Sequence, residues 1–269
     1  MVDYKRAWGR IAVWMLLFGA IYLVTRLYNL TGLPIFTDEA IYIRWAQIGA
    51  QDASWRFISL VDGKQPMFTW VMMALLRLIP QDPLFIGRLT SVIAGMASLV
   101  GIWLLSYELF KSKHVSLAMS LIYIISPFTL LYDRMALYDS MVVTFSVWSL
   151  YLSILLVRRL RLDIALLLGM VLGLGMLNKS SGFLSLYLAP LLLILFDWKK
   201  EERMMRLVRW VGFVGVSATV AFGMYSILRL SPYFHIIAEK NNVFLSLRKN
   251  TAYRASTNEA IPMYPINSP

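Results

Sequence analysis

The segment Met67-Phe68-Thr69-Trp70-Val71-Met72-Met73-Ala74-Leu75-Leu76-Arg77-Leu78-Ile79 is almost wholly apolar, and whether it crosses a membrane decides how the rest of the chain is threaded. A helix that spans the hydrocarbon core needs roughly 20 residues. This run is shorter, follows Lys64-Gln65-Pro66 and carries Arg77. Suppose it does not cross. Then Lys5/Arg6/Arg10, Lys111/Lys113, Arg158/Arg159/Arg161 and Lys199/Lys200/Arg203/Arg206/Arg209 all fall on one side, as positively charged inner loops require. If it does cross, those clusters divide between the two faces. The segment therefore reads as an amphipathic helix lying in the interface.

Longer apolar runs surround it at about 11–30, 86–109, 115–132, 140–157 and 208–230. Two shorter ones, about 163–177 and 182–196, flank Asn178-Lys179-Ser180-Ser181 and suggest a helical hairpin whose glycines permit close packing. The expected fold is all-α: a polytopic membrane protein with about seven transmembrane helices, and amphipathic juxtamembrane helices in the first outer loop, about 31–85. Composition agrees, with 59% hydrophobic and only 15% charged residues among 269. A net charge of +11 would suggest a nucleic-acid partner in a soluble protein. Here the basic residues sit between apolar runs, where they set topology and meet lipid phosphate, so membrane lipid is the expected partner and nucleic acid is not. Cysteine is absent, which removes disulfides, thiolate metal sites and thiol nucleophiles. No small-x-small cleavage site follows the first apolar run, so it reads as a retained span with a cytoplasmic N-terminus, in a plasma or inner membrane.

This threading puts most of the candidate chemistry on the outer face. In Phe36-Thr37-Asp38-Glu39-Ala40-Ile41-Tyr42, Thr37 reads as an N-cap with Asp38 and Glu39 in the first helical turn, where the dipole favours negative charge. A carboxylate held at the lip of an apolar cavity also loses solvation and becomes a competent general base. Asp133-Arg134 and Asp139 lie at the outer end of the third span. They read either as a solvated loop with a local ion pair or, for Asp139, as a second carboxylate at the cavity entrance. Lys64, Arg88, Arg134 and Lys179 are outer cations that either snorkel to head groups or together bind a phosphate leaving group. His114 and His235 fall on opposite sides and cannot share a metal. No phosphate-cradling glycine loop, zinc-protease helix or serine triad is visible.

The order of TDEA (37–40), DGKQPMFTW (62–70), FIGRLTSVIAGMASLVGIWLLSYELF (85–110), SPFTLLYDRMALYDSMVV (126–143) and GLGMLNKSSGF (173–183) resembles membrane-embedded glycosyltransferases of the GT-C superfamily. The branch it resembles is that of the dolichyl-phosphate-mannose protein mannosyltransferases and the aminoarabinose transferase of lipid A. The resemblance covers about 10–230. It implies a polyprenyl-phosphate-linked sugar donor, a lipid, glycan or protein acceptor, catalysis at the outer face and inversion at the anomeric carbon. It also implies Asp38, with Glu39 beside it, and Asp139 as the catalytic acids, and Lys64, Arg134 and Lys179 as the donor-phosphate set, to which the reading of the outer cations adds Arg88. The extra Gln65 departs from the family's usual Lys-Pro pattern. No obligatory metal is expected, a divalent cation being the alternative. Relatives continue further, so 1–230 reads as their N-terminal module and 231–269 as an outer-face tail, part of a longer loop. A transporter or flippase, or a non-catalytic scaffold or fragment, is the competing reading; ionisable residues at helix ends rather than at mid-membrane disfavour the transporter.

Overall fold

In a computed structural model the chain is described over residues 2–196, 198, 201–236 and 239, with side chains from residue 13 onward. Ten α-helices are present among those residues. The first, α1, spans Val2–Leu27, and α2 spans Thr37–Gln51. Two 3₁₀ turns, Ala53–Trp55 and Ile58–Asp62, lead into α3, Met67–Leu78. At about 1.5 Å per residue, twelve residues reach only about 18 Å, too short for the hydrocarbon core. Instead α3 buries Phe68, Thr69, Met72 and Met73 and packs on α2 and α4, while Arg77 Nε donates to the carbonyl of Ala50.

Among the described residues, three elements are long and apolar enough to span by length and composition. These are α4 (Pro83–Phe110), α7 (Asp139–Arg159) and the segment Arg203–Leu230, which comprises α10 (Arg203–Tyr225) and a closing 3₁₀ turn. The helix α4 begins cleanly because the Asp82 carboxylate accepts from the Leu84 amide and Pro83, lacking an N–H, fills the first turn. The apolar run at 115–132 is not one helix. It divides into α5 (Lys113–Ile125) and α6 (Pro127–Tyr132), with Ser126 extended between them, as the residue before a proline prefers. The hairpin's second arm is likewise mixed. Following α8 (Leu162–Asn178), α9 (Gly182–Leu188) tightens into a 3₁₀ segment, Ala189–Leu195, that opens on Pro190.

The helices α4 and α7 form the central pair, tied by Ser98 and Thr144 hydroxyls 2.9 Å apart and by Trp148 Nε1 donating to the Ala97 carbonyl. On one side lie α1 and α5; on the other α8 covers α7, and α10 covers α8. The contact between α8 and α10 needs Gly169, since a Cβ there would stand 2.7 Å from the carbonyl oxygen of Ser217. At Gly95 of α4 the neighbours are the Tyr22 hydroxyl and the Asp133 carboxylate, which leave no room for a side chain. At the C-terminal ends of α4 and α7, Glu108 meets Lys111 at 2.7 Å and Arg158 at 2.6 Å. The two helices therefore run parallel and finish together, which sets Lys111 and Arg158 at one end of the bundle and everything described below at the other. Most of the expected tail, from 237 onward except residue 239, lies outside the described residues, as do the side chains of Lys5, Arg6 and Arg10 and residues Lys199 and Lys200.

Candidate active site

The helix α2 starts at Thr37, so the cap residue is Phe36 and not Thr37 as the sequence suggested. The capping acceptor is the Glu39 carboxylate, which reaches back to the Phe36 amide at 3.0 Å. Successive residues on a helix point about 100° apart, and that rotation separates the adjacent acids. Asp38 faces a recess; Glu39 faces inward and is fully buried.

Glu39 accepts four hydrogen bonds. Its Oε1 takes Arg88 Nε at 2.9 Å and the Ala136 amide at 2.7 Å, and its Oε2 takes Arg88 Nη2 and the Phe36 amide, each at 3.0 Å. Burial alone would raise its pKa, but the Arg88 guanidinium and the two backbone amides outweigh that and hold it below the ordinary carboxylate value. Arg88 is equally committed. Besides Glu39, its Nη1 donates to the carbonyls of Leu30 and Leu33 and its Nη2 to that of Pro34, so all five guanidinium protons are used. Both residues were expected to face a substrate. The structure instead buries them as a joint that pins the 30–36 linker, α2, α4 and the turn before α7, with no donor left for a phosphate.

The recess itself has a volume of about 200 Å³. Four separate segments line it: the start of α2 with Asp38 and Tyr42, the turn before α3 with Lys64 and Gln65, the corner before α7 with Tyr132, Tyr138 and Asp139, and the corner after α8 with Asn178 and Lys179. Lys64 is delivered by Gly63, whose φ of 64° closes the preceding 3₁₀ turn in the left-handed region that suits glycine. Asp139 is the first residue of α7, where the dipole favours its charge, and it accepts from Lys179 Nζ at 3.0 Å. Asp38 accepts from the Tyr42 hydroxyl at 3.2 Å; burial, together with the neighbouring Asp38 charge, pushes the Tyr42 phenol far above its usual range and keeps it a donor. Among the described residues, the Lys64 ammonium has no ion pair.

Asp38, Lys64, Asp139 and Lys179, all singled out from the sequence, are thus brought to one cavity from positions up to 141 residues apart. Arg134 is not among its lining residues. Its Nη2 donates to the carbonyls of Tyr28 and Asn29 just beyond α1, so it ties down the linker. Nor does Asp133 form a solvated pair with Arg134. It is buried, accepts from the hydroxyls of Tyr22, Tyr123 and Ser140, and stands 4.0 Å from Arg26 Nε. Sequence reasoning missed the cavity's neutral members Tyr42, Gln65, Tyr132, Tyr138 and Asn178. Their only signal was adjacency to a charged candidate, as with Gln65 beside Lys64 or Asn178 beside Lys179. Among the described residues no three His, Asp or Glu side chains converge as a metal site would require.

Arranged in this way, the recess offers a carboxylate beside a neutral phenol on one wall and two ammonium groups on the others. That combination can take a proton from one group while neutralising an anion elsewhere in the same space.

Comparison with known proteins agrees with this architecture. No curated protein sequence matches the chain. A solved structure does: the Saccharomyces cerevisiae protein O-mannosyltransferase Pmt1-Pmt2 complex bound to the sugar donor, at a TM-score of 0.62 and 14% identity, over 84% of this chain and 33% of that one. At that identity the likeness is one of fold, and this chain spans about a third of the other's length. The family model described as dolichyl-phosphate-mannose-protein mannosyltransferase matches residues 63–227, more than half of the sequence and from the turn before Lys64 to the end of α10. The chain is an integral membrane protein and belongs to the dolichyl-phosphate-mannose-protein mannosyltransferase family.

Proposed function

We propose that this chain carries the catalytic cavity of a membrane glycosyltransferase that moves a sugar from a polyprenyl-phosphate-linked donor to a lipid, glycan or protein acceptor at the outer membrane face, with inversion. The observation that carries the proposal is the convergence of Asp38, Lys64, Asp139 and Lys179 on one recess at the end of the bundle remote from Lys111 and Arg158. Family membership, and the sugar donor bound by the Pmt1-Pmt2 complex, support the donor class.

In this reading Asp38 is the general base. It removes the proton of the acceptor hydroxyl or amine as that atom forms a bond to the anomeric carbon from the side opposite the phosphate. The bond between anomeric carbon and phosphate oxygen breaks, and its electron pair leaves on the polyprenyl phosphate. Lys64 and Lys179 lie around the charge that phosphate gains, and a cation fixed there lowers the barrier because it gains more from the transition state than from the ground state. Asp139 holds Lys179 in place. Glu39, Arg88 and Arg134 are framework groups in this scheme: the polar atoms of Glu39 and Arg88 are already bonded within the protein, and Arg134 is not among the cavity's lining residues and donates through Nη2 to the linker carbonyls of Tyr28 and Asn29.

The test is transfer from a radiolabelled polyprenyl-phosphate sugar to membrane acceptors, comparing wild-type protein with Asp38→Asn. The amide keeps the shape of the carboxylate and its place in the first helical turn. Loss of a general base lowers the rate by about 10²–10⁴-fold. Equal rates would remove Asp38 from the role, and no transfer by either protein would favour a scaffold.

A further inference from the structure

Tyr42 lies one turn after Asp38 on α2, is buried, and lines the same recess. Side chains on a helix lean toward its N-terminus, so the ring of residue i+4 reaches back over residue i. Here that brings the Tyr42 hydroxyl to Asp38 Oδ2 at 3.2 Å. Among the described residues no other side chain or amide bonds to the Asp38 carboxylate, which leaves Oδ1 without a protein partner.

The Tyr42 ring is itself clamped. Tyr138 meets it edge to face, with centroids 4.7 Å apart at 88°, Phe68 meets it at 6.5 Å and 74°, and Trp45 of the same helix stands 5.6 Å away. Two of these neighbours are fixed in turn: Phe68 is fully buried, and the Tyr138 hydroxyl lies 3.1 Å from that of Thr69. Burial and the nearby Asp38 charge push the Tyr42 phenol far above its usual range. It therefore stays protonated and serves Asp38 as a donor, not as a second base. A carboxylate without such a partner is poorly aimed, since its terminal torsion is broad and nearly two-fold. A base whose direction is set by a third group is the recurrent arrangement where proton removal has to coincide with bond formation.

We propose that Tyr42 is a positioning residue: its hydroxyl holds Oδ2 of Asp38 and so presents Oδ1 to the proton of the acceptor. The inference rests on the reading of Asp38 as the base. It requires no contact between Tyr42 and either substrate.

The experiment measures kcat and the KM for donor in transfer from the radiolabelled polyprenyl-phosphate sugar, for the wild-type full chain, Tyr42→Phe, Asp38→Asn and the double variant. Phenylalanine keeps the ring and its packing and removes only the hydroxyl. Tyr42→Phe is expected to lower kcat about 10- to 100-fold, the scale of misplacing a reacting group by about 1 Å, with KM within about twofold of wild type. In the Asp38→Asn background the same change is expected to alter kcat by less than about twofold, because no base is left to orient. A Tyr42→Phe rate within about twofold of wild type, or above it, overturns the proposal while a loss in Asp38→Asn leaves the base reading intact. An equal loss in the two backgrounds also overturns it, since the hydroxyl would then be serving the fold. Asp38→Asn at the wild-type rate, or no transfer by wild type, overturns the base reading and this inference with it. Where Asp38→Asn transfers too little for the comparison, SDS-induced unfolding and donor binding of Tyr42→Phe decide. Both unchanged beside a lowered kcat uphold the assignment, and a loss of either overturns it.

Discussion

Replacing Glu39 by glutamine tests the division of the adjacent acids into one framework group and one chemical group. Each oxygen of Glu39 accepts two hydrogen bonds, from Arg88 Nε and the Ala136 amide on one and from Arg88 Nη2 and the Phe36 amide on the other. Glutamine supplies one oxygen and one NH₂. Whichever way it is turned, two donors face a donor, and the buried guanidinium loses its counter-charge. Leaving a buried ion unpaired costs about 3–5 kcal/mol. The change is measurable as a shift in SDS-induced unfolding of the purified protein, followed by tryptophan fluorescence. Arg88→Met strands the carboxylate instead and belongs in the same range. Glu39→Gln combined with Arg88→Met is expected to cost about 1–3 kcal/mol less than the two single costs together, because the partners act as a unit. It does not restore wild-type stability, since the carbonyls of Leu30, Leu33 and Pro34 remain unbonded. The pH dependence has a definite sign. The folded pKa of Glu39 is depressed, so its contribution is fully present above the unfolded carboxyl value of about 4.3 and is lost as pH falls through the lower folded value. Wild type should lose this increment only in acid below the ordinary carboxylate range, and Glu39→Gln should lack it throughout. A Glu39→Gln protein within about 1 kcal/mol of wild type, yet unable to transfer sugar, would refute the framework assignment and return Glu39 to the chemistry.

Lys64→Met and Lys179→Met should each weaken donor binding or turnover by about tenfold or more, since each removes a cation from the phosphate side of the cavity. Arg134→Met, by contrast, should lower stability while leaving the KM for donor within about twofold. Gly169→Ala should destabilise by about 1–3 kcal/mol in the same unfolding assay, because a Cβ at 2.7 Å from the Ser217 carbonyl oxygen must push α10 away from α8; unchanged stability would refute that close contact. Treatment with EDTA should leave transfer unchanged, and a loss reversed by a divalent ion would show that the two cavity carboxylates hold a metal in the working enzyme.

Much of the architecture follows from quantities that a sequence exposes directly. Run length leaves α3 shorter than a span needs, and the placement of Lys and Arg argues in the same direction. Helix interruptions were legible in principle at Pro127 and Pro190, although the reading of 115–132 as one span passed over the first. The site divides by a different rule. Asp38, Lys64, Asp139 and Lys179 could be picked out because charged residues are few in this chain and the threading sets these at the ends of apolar runs on one side. What could not be read was direction. Glu39 stands next to Asp38 in sequence and shares its chemistry, and Arg88 and Lys64 are both outer cations. Only the backbone rotation between neighbours, and the supply of carbonyls at Leu30, Leu33 and Pro34, sends Glu39 and Arg88 inward. Asp133 and Arg134 pose the same problem, the one buried among tyrosines and the other drawn to the end of α1.

These inward pairs explain how a cavity can be built where four separate segments meet. Its side chains come from the start of α2, the turn before α3, the corner that opens α7 and the end of α8 with the corner after it, segments far apart in the chain. Glu39 and Arg88 lock the first to α4 and, through the Ala136 amide, to the third. Thr69 and Tyr138 hydroxyls 3.1 Å apart join α3 to that same corner, and Gln65 Nε2 donates to the Ser180 hydroxyl, joining the turn before α3 to the corner after α8. Every one of the four segments is therefore tied to another by a buried or half-buried polar bond that takes no part in the chemistry assigned to Asp38, Lys64 and Lys179. A base and its phosphate-binding cations must keep their separation to within a fraction of an ångström to lower a barrier together. It follows that mutations in this second set should fall on stability and on kcat together, whereas mutations of Lys64 or Lys179 should fall on donor binding and turnover with stability intact.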